Sequence, residues 1–227
     1  RLEVVAIQRR QGVAAGTNFA YTLNQVAAIE VAAGDLEAAE AAAREAVTVL
    51  RAVTGERSAW LLTNLGGVLL QRSQLDEAAA LLAEAAALDH EAGRTEGAFH
   101  AETVHGLGEL ALRRGERDQA RTRFGEALAL WRISTREGSR SSARTLTRLA
   151  AALDEPERSV RCRPLLGEAA AILARFLAPT HPERQAAERA FAACPPALHS
   201  KHSSVPARIS FANPIKRVKA PIRPQGE

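Results

Sequence analysis

The sequence predicts an all-α fold, a right-handed α-solenoid of antiparallel helix pairs. Three observations carry that prediction. Hydrophobic residues make up 46% of the 227 residues but aromatics only 4%, so the apolar material is mostly Ala and Leu. Such a composition favours helices packed closely through small side chains. Within Gly115–Trp131, the residues Ala120, Phe124, Ala127, Leu128 and Trp131 fall at i, i+4, i+7, i+8 and i+11, which is one face of a helix. The same pattern recurs so that four repeats can be aligned. A lone helical hairpin cannot bury its apolar face, whereas a stack of hairpins can.

The elements follow in order. Residues 1–12 read as the end of a helix, the second half of a repeat whose first half is cut away, with Gly12 as its stop. First helices are expected near 18–33, 58–72, 100–114 and 142–153. They carry Leu23, Leu62, Val104 and Leu146 early, then Val26, Leu65, Leu107 and Leu149 three residues later. A small residue follows each time: Ala27, Gly66, Gly108 and Ala150. Twelve residues further on come Ala39, Ala78, Ala120 and Cys162, and seven beyond those Ala46, Ala85, Ala127 and Ala169. Small residues in register on two successive helices let the hairpin close. The repeats are spaced by 39, 42 and 42 residues, giving units at about 18–57, 58–99, 100–141 and 142–181.

The turns agree with this reading. Gly34-Asp35 and Gly115-Glu116 supply left-handed helix ends, Ser73-Gln74 takes that place in the second repeat, and Asp154-Glu155-Pro156 in the fourth. Ser58 and Ser142 are expected to cap the helices that follow them. Thr180 and Glu183 have the spacing of a capping box for a closing helix over 182–194, which is more polar than the others, as the end of a stack should be. The helical repeat domain is thus expected to span 1–195. Pro206, Pro214, Pro221 and Pro224 break up the remainder, 196–227, which reads as a disordered basic tail.

Charge belongs mainly to that tail. Six basic residues against Glu227 give 197–227 a charge of +5; with +4 for the whole chain, the first 196 residues carry −1. All three lysines lie in the tail, so it is either a basic extension or a frameshifted terminus. No apolar run is long enough for a membrane helix, and there is no signal peptide. The chain begins with Arg1 and contains no Met, so a preceding segment carrying a signal, an anchor or a catalytic domain is anticipated. Cys162 and Cys194 could pair, but two cysteines make no framework, and reduced, buried thiols are expected. Cys162 takes the place of a packing alanine, so it is expected to be inert.

The pattern resembles the tetratricopeptide repeat family. Repeat three carries the resemblance best, through Leu107-Gly108, Gly115, Ala120, Phe124 and Ala127; repeat two follows with Leu65-Gly66, Ala78 and Ala85. Repeat four is degenerate, with Pro164 in its second helix. The period of about 42 is similar to that of the kinesin-light-chain type, common in bacterial signalling proteins, and Phe176–Pro182 resembles the linker of that type. The resemblance implies a TPR-like superhelix over 1–194, a cytoplasmic protein, and a concave groove lined by the first helices that takes a peptide.

The residues matched to that groove are Tyr21 and Asn24 in repeat one, Trp60 and Thr63 in repeat two, Glu102, His105 and Glu109 in repeat three, and Arg144 and Thr147 in repeat four. Aromatic anchors, hydrogen-bonding groups and both charge signs suit an extended or helical partner segment. Trp60 is the leading anchor candidate, because exposed aromatics concentrate binding energy. Its alternative is to pack beneath a neighbouring helix. Glu102, His105 and Glu109 have a spacing that can ligate a metal, but no fourth ligand is evident, so no metal, cofactor or catalytic residue is expected. The arginine pairs are interleaved with acids and read as solvated faces.

Three functions follow as expectations. The first is a scaffold for protein–protein interaction. The second is the regulatory C-terminal region of a larger signalling protein, such as a serine/threonine kinase, although this chain has no Gly-rich phosphate loop, HRD or DFG motif. The third is contact of the tail with nucleic acid through Lys216, Arg217 and Lys219, weakened by the lack of interleaved aromatics.

Overall fold

The computed structural model describes residues 16–135, 138–155 and 157–194. The chain divides into two units, Arg1–Ala197 and Leu198–Glu227, and every described residue belongs to the first. The expected truncated helix at 1–12, the Pro156 stop and the disordered tail at 196–227 lie outside the described residues.

Nine helices form among those residues: α1 (Thr17–Ala33), α2 (Leu36–Thr54), α3 (Ala59–Gln71), α4 (Leu75–Glu91), α5 (Ala98–Arg113), α6 (Arg117–Ser134), α7 (Arg140–Ala152), α8 (Glu157–Phe176) and α9 (Pro182–Ala193). No strand occurs among them. α1 pairs with α2, α3 with α4, α5 with α6 and α7 with α8, and α9 lies on α8. The architecture is an all-α solenoid. Among the described residues, no helix is long and apolar enough to cross a membrane.

The in-register small residues close each hairpin. Ala39, Ala78, Ala120 and Cys162 are buried on the second helices, as are Ala46, Ala85, Ala127 and Ala169 a further two turns on. Opposite them, a Cβ on Gly66 would stand 3.0 Å from the Leu82 side chain, and one on Gly108 only 2.7 Å from the Phe124 ring. The glycine therefore admits the neighbouring helix rather than loosening its own. Two core clusters account for most of the apolar burial, with Phe19, Leu23, Leu69 and Leu82 in the first and Phe124, Leu146 and Leu173 in the second.

Helix ends show why the boundaries fall where they do. Gly34 ends α1 at φ 87°, and Asp35 caps α2 by accepting from the Ala38 N–H at 2.9 Å. Ser73 adopts φ 62°, the left-handed turn expected of it. Ser58 caps α3. Two expected caps are corrected. Ser139, not Ser142, caps α7; Ser142 returns the bond as the third helical residue of a capping box. The closing helix is capped by His181, whose ring accepts from the Glu183 N–H, and not by Thr180. Pro182 fixes the first helical position, so the cap falls on the residue just before it.

The expectation of reduced thiols is also overturned. Cys162 and Cys194 form a disulfide. α9 folds back along α8 and carries Cys194 to the buried site where the other repeats place alanine. Pro164 does not break α8, which continues through it to Phe176.

Candidate protein-interaction surface

The first helices of successive repeats, α1, α3, α5 and α7, pack on one another as well as on their own partners. No pair of second helices does so to a comparable extent. That crowding places the first helices on the inner side of the stack, so the surface they share is the candidate site.

Three of the nine matched residues turn inward and form the seam between first helices. The Asn64 amide donates to the Asn24 side-chain oxygen at 3.1 Å. The Thr63 and Thr103 hydroxyls bond at 2.8 Å, and Thr103 also reaches the buried Asp89 carboxylate at 3.3 Å. His105 Nδ1 meets the Thr145 hydroxyl at 2.9 Å. Thr145 also bonds the Ser141 carbonyl, and its one hydrogen serves that bond, so His105 Nδ1–H is the donor to Thr145. Asn24, Thr63 and His105 are buried. They hold the helices together and are not presented to a partner, because a buried polar group must be satisfied within the fold.

Burial holds the His105 pKa well below its ordinary value, and the Arg144 and Arg148 charges add to the effect. The ring is neutral and lies tilted by 50° against Phe124, with the centroids 5.4 Å apart. Glu102 pairs with Arg144, and Glu109 with Arg148 at 2.5 Å. The possible metal trio is therefore split: its histidine is inward, and its carboxylates are each taken by an arginine. Thr147 bonds back to the Ala143 carbonyl of its own helix.

What remains exposed on this surface begins as an aromatic row. Tyr21 of α1 lies 5.6 Å from Trp60 of α3, and Trp60 lies 6.3 Å from Phe99 of α5 in edge-on geometry. Trp60 is half-buried against the first core, whereas Tyr21 is 40% and Phe99 69% exposed. Trp60 thus packs against the first core and also takes part in the row of rings. Phe99 escaped the sequence reading, which set Glu102 in register with Trp60. The signal was present as spacing, since Tyr21, Trp60 and Phe99 are each 39 residues apart.

The row sits on nearly uncharged helices. Glu30 is the one charged side chain on α1 and α3 together. Gln25 and Asn64 lie four residues beyond Tyr21 and Trp60, one turn along the same helix faces. Two hollows lie elsewhere, one of about 160 Å³ beside Leu50, Arg57 and Leu81, the other of about 420 Å³ beside Trp131, Glu168 and Ile172. Neither reaches the aromatic row.

The tetratricopeptide repeat family model matches residues 18–91, which cover the first two hairpins. Residues 18–91 carry tetratricopeptide repeats. Repeats of this family are typically protein-interaction modules. Among solved structures, the chain is similar to a Podosopora anserina protein assigned as a kinesin light chain with nearly identical TPR-like repeats, at 21% identity and a TM-score of 0.57, covering 78% of this chain and 85% of that one. It is likewise similar to BtubC (BKLC) from P. vanneervenii, at 18% identity and a TM-score of 0.57, covering 84% and 79%. These likenesses concern the fold of the tetratricopeptide stack. A comparison with curated protein sequences found no match.

Proposed function

We propose that this tetratricopeptide stack is a scaffold that holds an extended segment of a partner protein along α1, α3 and α5. The observation that carries the reading is the exposed row of Tyr21, Trp60 and Phe99, one ring from each of three successive repeats. Unpartnered aromatic surface is unfavourable in water unless something covers it. A segment with apolar side chains spaced along an extended backbone matches a linear row of rings, and the adjoining amides of Gln25 and Asn64 suit its backbone groups. Buried aromatic anchors dominate interface energy, so the row should behave as a hot spot.

Selection from a displayed peptide library tests this. The wild-type chain should enrich a family of sequences sharing apolar positions, and Trp60→Ala should lose that enrichment while keeping its helical circular dichroism. Equal enrichment by the folded variant would sink the assignment.

A further inference from the structure

We propose that the Cys162–Cys194 disulfide is a site of reversible thiol–disulfide exchange that fixes or frees the closing helix α9. The pair joins α8 to the residue that ends α9, across 32 residues of sequence and with the Cα atoms 6.2 Å apart. Packing alone holds α9 weakly. Ala187 is the one fully buried residue within the helix. Phe191 lies half-buried over Gly167, with the Arg163 guanidinium 4.4 Å from its ring centroid. The other holds are polar: Arg140 with Glu183 at the surface, the partly buried Arg184 with the Ala174 and Leu177 carbonyls, and Arg163 with the Cys194 carbonyl. The surface pair among them contributes little. The cross-link therefore supplies a large part of what keeps α9 closed. Its anchor on α8 lies two residues before Pro164, which has no N–H to give the helix.

The exchange balances with a dithiol reductant, whether a small molecule or a protein. Its thiolate attacks one sulfur of the cystine, forms a mixed disulfide and displaces the other cysteine as a thiolate. The second thiol of the reductant then closes its own disulfide and releases the first cysteine. The cystine gains two electrons and two protons, and the dithiol loses them. Cys162 and Cys194 are both buried, at 3% and 4% exposure, so α9 must lift before a thiol can attack. Reduction and undocking are thus coupled. Once freed, α9 uncovers Ala150 and Leu166, which share a cluster with the pair, and leaves an apolar end on the stack.

The test uses the full chain, oxidised or treated with dithiothreitol, with thiol alkylation read by mass and hydrogen exchange read by peptide. Alkylation should reach both cysteines only after reduction. Amides of α9 should then exchange about 100-fold faster, with α1–α6 unchanged. The double variant C162S/C194S should match the reduced protein in either buffer, and its α1–α6 protection reports that it is folded. Alkylation of both cysteines without reductant overturns the proposal, as does equal protection of α9 in the two redox states.

Discussion

The first two hairpins and the last two use the same repeat to opposite electrostatic ends. Residues 16–97 contain twelve acids and five arginines, a charge of −7; residues 98–194 contain twelve acids and sixteen arginines, a charge of +4. On the inner helices the contrast is of a different kind. α1 and α3 hold one charged side chain, Glu30, and offer rings and amides. α5 and α7 offer Glu102 with Arg144 and Glu109 with Arg148. Yet the seam beneath both regions has one construction. Asn24 to Asn64, Thr63 to Thr103 and His105 to Thr145 are each 40 residues apart, a neutral hydrogen bond at every junction. The repeat thus fixes the seam and leaves the rim free to differ: one rim carries rings and amides, and the other is occupied by its own ion pairs.

Four changes break or sharpen that comparison. The largest effect is expected from Phe124→Ala, which empties the space beneath Gly108 and His105 and should destabilise by about 3–5 kcal/mol in urea unfolding. Leu82→Ala, the counterpart that fills the space at Gly66 and Gly106, should fall in the range of about 2–5 kcal/mol. Next come paired glycine substitutions. Gly108→Ala drives a Cβ into the Phe124 ring and should destabilise by about 1–3 kcal/mol. Gly67→Ala meets nothing within 4 Å and should stabilise by about 0.4–1 kcal/mol, since alanine restricts the unfolded chain and favours the helix.

A pH titration of stability separates the seams. His105 is neutral in the fold, whereas the unfolded chain takes up a proton near the ordinary histidine value of 6.5. Its contribution is full above about pH 6.5 and is lost as the pH falls, with a slope approaching about 1.4 kcal/mol per pH unit for as long as the folded ring stays unprotonated. The Asn24–Asn64 seam has no such dependence. His105→Gln should flatten the curve below pH 6.5, and an unchanged slope in that variant would contradict the assignment. The smallest effect is expected from Arg144→Ala. Arg144 is exposed and its pair with Glu102 is screened, so the change should stay under about 1 kcal/mol and shrink further in salt.

The sequence made the stack legible because alanine and glycine positions in register have one geometric meaning. Ala39, Ala46, Ala78 and Ala85 are buried where the spacing places them. The surface was half legible. Tyr21 and Trp60 lie in a row of surface rings, but Asn24, Thr63 and His105, matched to the same groove, bond within the fold to residues 40 positions along the chain. Polarity alone does not distinguish a seam bond from an exposed one. Phe99 was missed because three extra residues between Trp60 and Glu102 shift the true neighbour by one helical turn. The disulfide was missed because Cys194 reaches Cys162 only through the fold-back of α9, which no local pattern encodes.

The central claim is that the aromatic row is the surface that takes a partner segment, and Phe99→Ala tests it most directly. Phe99 is 69% exposed, so its removal should leave the unfolding midpoint nearly unchanged. Titration of a library-selected peptide, followed by Trp60 emission in a Trp131→Phe background, gives the affinity. The account predicts binding weakened by about tenfold or more, the loss expected of an interface anchor. Equal affinity for the two proteins would contradict it.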